Sequence, residues 1–109
     1  MDGKIVFEEH MAISDTLEDS RSFAGGSGKW DEFARQILDL GEERLARMEG
    51  NGIAFSILSL NAPGIQALLD TDEAIELARR ANDHLAEAVF KYPDRLAGFA
   101  ALPMQDPDA

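Results

Sequence analysis

Three short apolar runs, separated by longer segments with helical spacing, constrain this chain more than any other feature. The first, Lys4 to Glu9 (Lys-Ile-Val-Phe-Glu-Glu), is β-branched and aromatic before it turns acidic, as expected of a short buried strand. The second, Ile53 to Leu60 (Ile-Ala-Phe-Ser-Ile-Leu-Ser-Leu), is nearly all apolar or small. A strand apolar throughout marks a parallel sheet covered on both faces. The third is Arg95 to Leu102 (Arg-Leu-Ala-Gly-Phe-Ala-Ala-Leu). Between the first two, Trp30, Phe33, Ile37, Leu38, Leu45 and Met48 fall on one helical face. Asp31 and Glu32 favour the first turn of that helix, and Gly50-Asn51-Gly52 supplies its stop. Between the second and third runs, Asn61-Ala62-Pro63-Gly64 breaks the strand, and Asp70 with Glu73 resembles a capping box. Ala74, Leu77, Ala78, Ala81, Leu85, Val89 and Phe90 then recur at helical spacing until Tyr92-Pro93-Asp94. Pro103 and Asp106-Pro107-Asp108 close the chain with turn chemistry.

The order is β-α-β-α-β, which implies right-handed crossovers and a parallel sheet. An open sheet of three strands leaves apolar outer edges, and such edges aggregate unless something covers them. The pattern therefore reads as part of a larger α/β domain. Composition narrows the partners. The net charge is −11, from 21 acidic and 10 basic residues, with no cluster of Lys and Arg of the kind that binds phosphate, so nucleic acid and anionic membrane surfaces are excluded. Arg79 and Arg80 are adjacent but lie among Glu73, Glu76 and Asp83. The chain has no cysteine, which removes disulfides and thiolate metal sites. No apolar run approaches the ~20 residues of a membrane span. The N-terminus lacks the basic start and cleavage site of a signal peptide, and a cytoplasmic setting is the default expectation.

Glu8-Glu9-His10 is the most informative tripeptide. On a strand, side chains alternate, so Glu8 and His10 share a face and Glu9 takes the other. Their Cα atoms would stand roughly 6.6 Å apart, close enough for both side chains to reach one cation. In parallel barrels the active site gathers at the C-terminal strand ends, where these residues fall. Two ligands do not complete a site, and spacing alone equally allows two surface polar residues at a strand end. The polar stretch Ser14 to Lys29 is too long for a simple turn and reads as a functional loop or ordered lid. Within it, Gly25-Gly26-Ser27-Gly28-Lys29 is not a phosphate loop. Phe23 stands where the first glycine belongs, and Trp30 stands where Ser or Thr belongs. His84 reads as a solvated or packing residue in a helix, and Trp30 and Phe33 as core. Asn61 sits at a strand end, either facing the same mouth as Glu8 or starting the Asn-Ala-Pro-Gly turn.

Four separated segments carry a family pattern: Lys4-Ile-Val-Phe-Glu-Glu-His10, Ile57-Leu-Ser-Leu-Asn-Ala-Pro63, Ala78-Arg-Arg-Ala-Asn-Asp83, and Pro93-Asp-Arg-Leu-Ala-Gly-Phe-Ala-Ala-Leu-Pro-Met-Gln-Asp-Pro-Asp108. In register over essentially the whole chain, they resemble the start of the γ-resorcylate (2,6-dihydroxybenzoate) decarboxylases. These belong to the amidohydrolase superfamily, beside aminocarboxymuconate-semialdehyde decarboxylase. The resemblance implies that residues 1–109 are the N-terminal part of one TIM (β/α)8 barrel, incomplete in this chain. It implies that Glu8 and His10 bind a divalent metal, Zn²⁺ or Mn²⁺, whose remaining His and Asp ligands lie on later strands. It places Phe23 against the substrate and Asn61 at the pocket mouth, and it puts no catalytic acid within this chain. The Gly-rich stretch after Phe23 departs from the family pattern.

The activity so implied is non-oxidative, metal-dependent decarboxylation of a small aromatic carboxylic acid by a cytoplasmic homo-oligomer, a dimer or tetramer. The metal would act as Lewis acid and orienting template for the carboxylate and its ortho hydroxyl, while a general acid protonates the ring carbon as CO₂ leaves. Two alternatives are a superfamily hydrolase of a lactone or related ring compound, and a non-catalytic α/β module. With half the ligands and most strands outside it, the purified 109-residue chain is expected to hold metal weakly and to form no resorcinol from 2,6-dihydroxybenzoate. A measurable rate from that chain would contradict the assignment.

Overall fold

Ile53–Leu60 (β2) is the middle strand of a parallel three-stranded sheet, flanked by Lys4–Met11 (β1) and Leu96–Gly98 (β3). The structure is a computed structural model that describes residues 3–23, without the Phe23 side chain, and 28–109. The expectations for Phe23 and for Gly25 to Ser27 therefore lie outside the described residues. Each crossover carries the chain to the next strand in the same direction, and a right-handed crossover then places every helix on one face of the sheet. Leu58, Leu96 and Met11 accordingly pack in one cluster with Met48 and with Ala74, Leu77, Ala81 and Leu85. The opposite face is bare, and Ile5 (48% exposed), Phe7 (66%) and Phe99 (55%) are open to solvent. Coverage of both faces, expected from the apolar β2, is present on one side only.

The single helix expected from Trp30 to Met48 is two: Trp30–Leu38 (α1) and Glu42–Gly50 (α2). Asp39 leaves helical geometry at ψ 119°, and its carboxylate accepts from the backbone N–H of Gly41 and of Arg44, each at 2.8 Å. One side chain thus satisfies two N–H groups at the start of α2, while the turn sends Leu40 into the core. α2 stops within Gly50-Asn51-Gly52 as expected, with Asn51 as its C-cap and Gly52 just beyond at φ +68°. Within Ser14 to Lys29, expected to be a loop or lid, Ser14–Phe23 is a 3-10 segment, tied by Asp15 to Arg80 of the helix Thr71–Lys91 at 2.9 Å.

Thr71–Lys91 (α3) starts where Asp70 accepts from the Glu73 N–H at 2.9 Å, the forward half of a capping box. Its buried stripe runs Ala74, Leu77, Ala78, Ala81, Leu85 and Ala88. Phe90, expected on that face, is 89% exposed, because five residues past Leu85 is about 140° around the helix. β3 is also shorter than the expected Arg95 to Leu102. After Phe99 donates to the Leu58 carbonyl, Asn82 of α3 captures Ala101 through both its N–H (2.7 Å) and its carbonyl (2.9 Å). A side chain there replaces the neighbouring strand. No helix among the described residues is long and apolar enough to cross a membrane.

Leu85 seats directly on Gly98, where an added Cβ would stand 2.7 Å from the leucine Cγ. Helix and strand approach this closely because glycine leaves the space. Gly98→Ala is expected to overpack this contact and cost about 1–3 kcal/mol, read as a lower denaturation midpoint. An unchanged midpoint would show that α3 rides free of the strand.

Candidate metal site

β1 is not a plain two-residue repeat. Val6 pairs with Ser56 and Glu9 with Leu58, so three steps on β1 match two on β2, the signature of a β-bulge. Glu8, inside the bulge, has φ +57°, a left-handed conformation that costs a non-glycine residue about 1–2 kcal/mol. The consequence is one of phase. Ser56 and Leu58 are buried beneath the helices, and Val6 shares the face of Ser56. Unbroken alternation from Val6 would send Glu8 and His10 to that face as well. The extra residue slips the phase by one, which exchanges faces. Glu9 now lies beside Leu58, and His10 lies beside Ser59 on the bare side of the sheet.

Glu8 and His10 are both exposed and line one cleft of about 600 Å³. The cleft follows the free edge of β1 towards Phe33 and Gln36 of α1 and Arg44 of α2. Glu9 lines it too, contrary to the expectation that it turns away, because an outer strand shows both faces at its edge. Among the described residues neither the Glu8 carboxylate nor the His10 imidazole is spent on a hydrogen bond or ion pair. Their donor atoms suit a hard or borderline divalent cation. Among the described residues no group of three or more His, Cys, Asp or Glu is placed to hold a metal, so this pair fits a metal as a partial ligand set.

Asn61 is buried, and its role is more specific than either starting a turn or facing a mouth. Its amide donates to the Thr16 carbonyl (2.8 Å) and to Ser20 Oγ (2.7 Å), and its backbone N–H donates to the Met11 carbonyl. It therefore pins the 3-10 segment to the ends of β1 and β2. Both amide hydrogens are used, while Oδ1 is buried with no donor among the described residues, and the residue lines the same cleft. His84 is exposed, beside Asp15 and Arg80. Trp30 and Phe33 stack at 6.0 Å, with Arg21 4.5 Å over the Trp30 ring.

Arg44 was not legible as a site residue, since an arginine between Glu43 and Leu45 reads as a solvated helix position. Its guanidinium donates to the main-chain carbonyls of Asp39 (2.7 Å), His10 (3.1 Å) and Gln36 (3.3 Å). Burial pushes its pKa below the ordinary value, and the carboxylates of Glu9 and Asp39 push it back up.

No protein-family profile matches the chain. Over its whole length it is 54% identical to γ-resorcylate decarboxylase of Rhizobium sp. strain MTP-10005, spanning 33% of that protein. It superposes with a TM-score of 0.92 and 53% identity on a crystal structure of 2,6-dihydroxybenzoate decarboxylase complexed with 2,6-dihydroxybenzoate, covering 99% of this chain and 33% of that one. With dihydroxybenzoic acid decarboxylase from Polaromonas sp. JS666, bound to manganese and the inhibitor 2-nitroresorcinol, the TM-score is 0.93 at 52% identity, covering 99% and 32%.

Glycine inside a strand ordinarily costs about 0.5–1 kcal/mol relative to alanine. At Glu8 the sign is expected to reverse: Glu8→Gly should raise metal-free stability by up to about 1 kcal/mol in urea denaturation. A lowered midpoint would mean that Glu8 stores no strain. In sequence and in fold, this chain is a close relative of the γ-resorcylate decarboxylases, and it spans about a third of their length.

Proposed function

We propose that this chain is one part of a metal-dependent, non-oxidative decarboxylase of hydroxybenzoates such as 2,6-dihydroxybenzoate, built as a (β/α)8 barrel of the amidohydrolase type. The observation that carries the reading is the bulge at Glu8. It brings an exposed carboxylate and an exposed imidazole to the C-terminal end of a parallel strand, the end at which such barrels do chemistry. In this reading Glu8 and His10 hold one divalent cation, manganese or zinc, and the bare sheet face becomes the barrel interior. Manganese is favoured by the Polaromonas relative, which binds it together with 2-nitroresorcinol. That inhibitor carries a nitro group between two hydroxyls, where the proposed substrate carries its carboxylate.

The cation supplies a Lewis acid that orients an aromatic carboxylate and its ortho hydroxyl. The chain's own residues bind and shape. Phe23 and Asn61 belong to the substrate wall, and Asn61 offers only an acceptor there because its amide hydrogens are already used. Its Oδ1 suits a phenolic hydroxyl or a water bridging to one. Decarboxylation replaces the carboxylate by a proton on the same ring carbon, so a general acid must deliver that proton. No residue described in this chain is assigned that task.

The full-length protein is expected to convert 2,6-dihydroxybenzoate to resorcinol and CO₂, followed by chromatography. His10→Ala should lower manganese content and turnover together, by more than about 100-fold in metal affinity. Lactone hydrolysis without resorcinol would replace the decarboxylase reading with the hydrolase one. Wild-type metal occupancy in His10→Ala would remove the site.

A further inference from the structure

The end of β1 is tied to the helix layer by more than its own sheet. Ala12, the residue after the strand, donates its N–H to the Ile37 carbonyl at 3.1 Å. Two residues earlier, the His10 carbonyl accepts from Arg44 Nη2 at 3.1 Å. The same guanidinium reaches the Gln36 carbonyl through Nη2 and the Asp39 carbonyl through Nε. These last two belong to the C-terminal turn of α1, where carbonyls lack helical partners and the helix dipole is negative. A planar fork with several fixed donors matches three carbonyls that converge from a helix end and a strand end. An ammonium, as a point charge on a flexible stem, does not.

We propose that Arg44 is a positioning residue for His10: its guanidinium locks the His10 main chain to the C-terminal turn of α1 and so sets where the imidazole meets the cation. This rests on the proposed metal role of His10. The backbone at His10 follows a strained, bulged residue, and its carbonyl accepts from the Arg44 fork and not from the ladder with β2. The Arg44 bond ties that carbonyl to the helix layer, a restraint that pairing within the sheet does not provide. It leaves both imidazole nitrogens free, since it engages only the carbonyl oxygen.

The experiment titrates Mn²⁺ into the metal-free full-length protein, reading free Mn²⁺ by electron paramagnetic resonance and correcting for the folded fraction by circular dichroism. Wild type, Arg44→Met, Arg44→Lys and His10→Ala are compared. Arg44→Met is expected to weaken manganese binding about 10- to 100-fold, the range for residues that orient a ligand. Arg44→Lys should fall between Met and wild type and should broaden the bound-Mn²⁺ spectrum, a change that a purely structural role would not produce. A Lys variant within twofold of wild type overturns the proposal whatever the Met variant does, including a failure to fold, because the fork would then be unnecessary. Undiminished binding in His10→Ala would instead strike the metal reading itself, which keeps the two failures distinct.

Discussion

The handedness of the crossovers is the constraint on which the rest of this structure depends. Right-handed connections that always step to the next strand have only one face of the sheet on which to lay their helices. Leu58 and Leu96 then face α3, and Gly98 must stay small so that Leu85 can reach the sheet. The same rule leaves Phe7 and Phe99 bare. It also fixes where polar residues can gather, because parallel strands finish on the same side of the layer. His10 and Asn61, at the ends of β1 and β2, become neighbours of one cleft by topology alone.

Topology does not decide which residue of Glu8-Glu9-His10 faces which way. That depends on one extra residue in β1. The bulge converts a phase that would bury His10 under helices into one that presents it, and the cost appears in the backbone of Glu8. Such strain persists only where surrounding contacts over-determine the local structure. Here those contacts are the register with β2 on both sides of the bulge, the Met11 carbonyl held by Asn61, the Ala12 bond to Ile37, and the Arg44 fork. The restraints cluster within a few residues of the strained one.

The order of elements was legible because strand and helix periods differ and the start at Asp70 and the stops at Gly52 and Pro93 are chemically explicit. The break between α1 and α2 was not, for a geometric reason. Leu38 and Leu45 are seven residues apart, close to two full turns, so they keep the same face whether or not the helix is interrupted. The short β3 was hidden in a similar way. An apolar run such as Leu-Ala-Gly-Phe-Ala-Ala-Leu does not reveal whether its backbone will meet a strand or a side chain, and Asn82 supplies the side chain. At the site, the residue types of Glu8 and His10 pointed to metal chemistry and their position to a strand end. The bulge was invisible because no glycine marks it.

The helix break and the Arg44 tether are one device. In a continuous helix, Gln36 and Arg44 would be separated by eight residues, about 12 Å along the axis. The Arg44 guanidinium would then have no route to both the Gln36 and Asp39 carbonyls. Asp39 ends α1, caps the donors of α2 with its carboxylate, and turns α2 so that Arg44 comes back over the end it has just left. The fork then has the free carbonyls of that end as acceptors, and the His10 carbonyl completes the set. An arginine that would be a solvated charge on a straight helix becomes a cross-link between two layers because the chain breaks at Asp39, five residues before it. The position of the break brings the arginine to these carbonyls, and its fork then couples the helix layer to the strand end that carries His10.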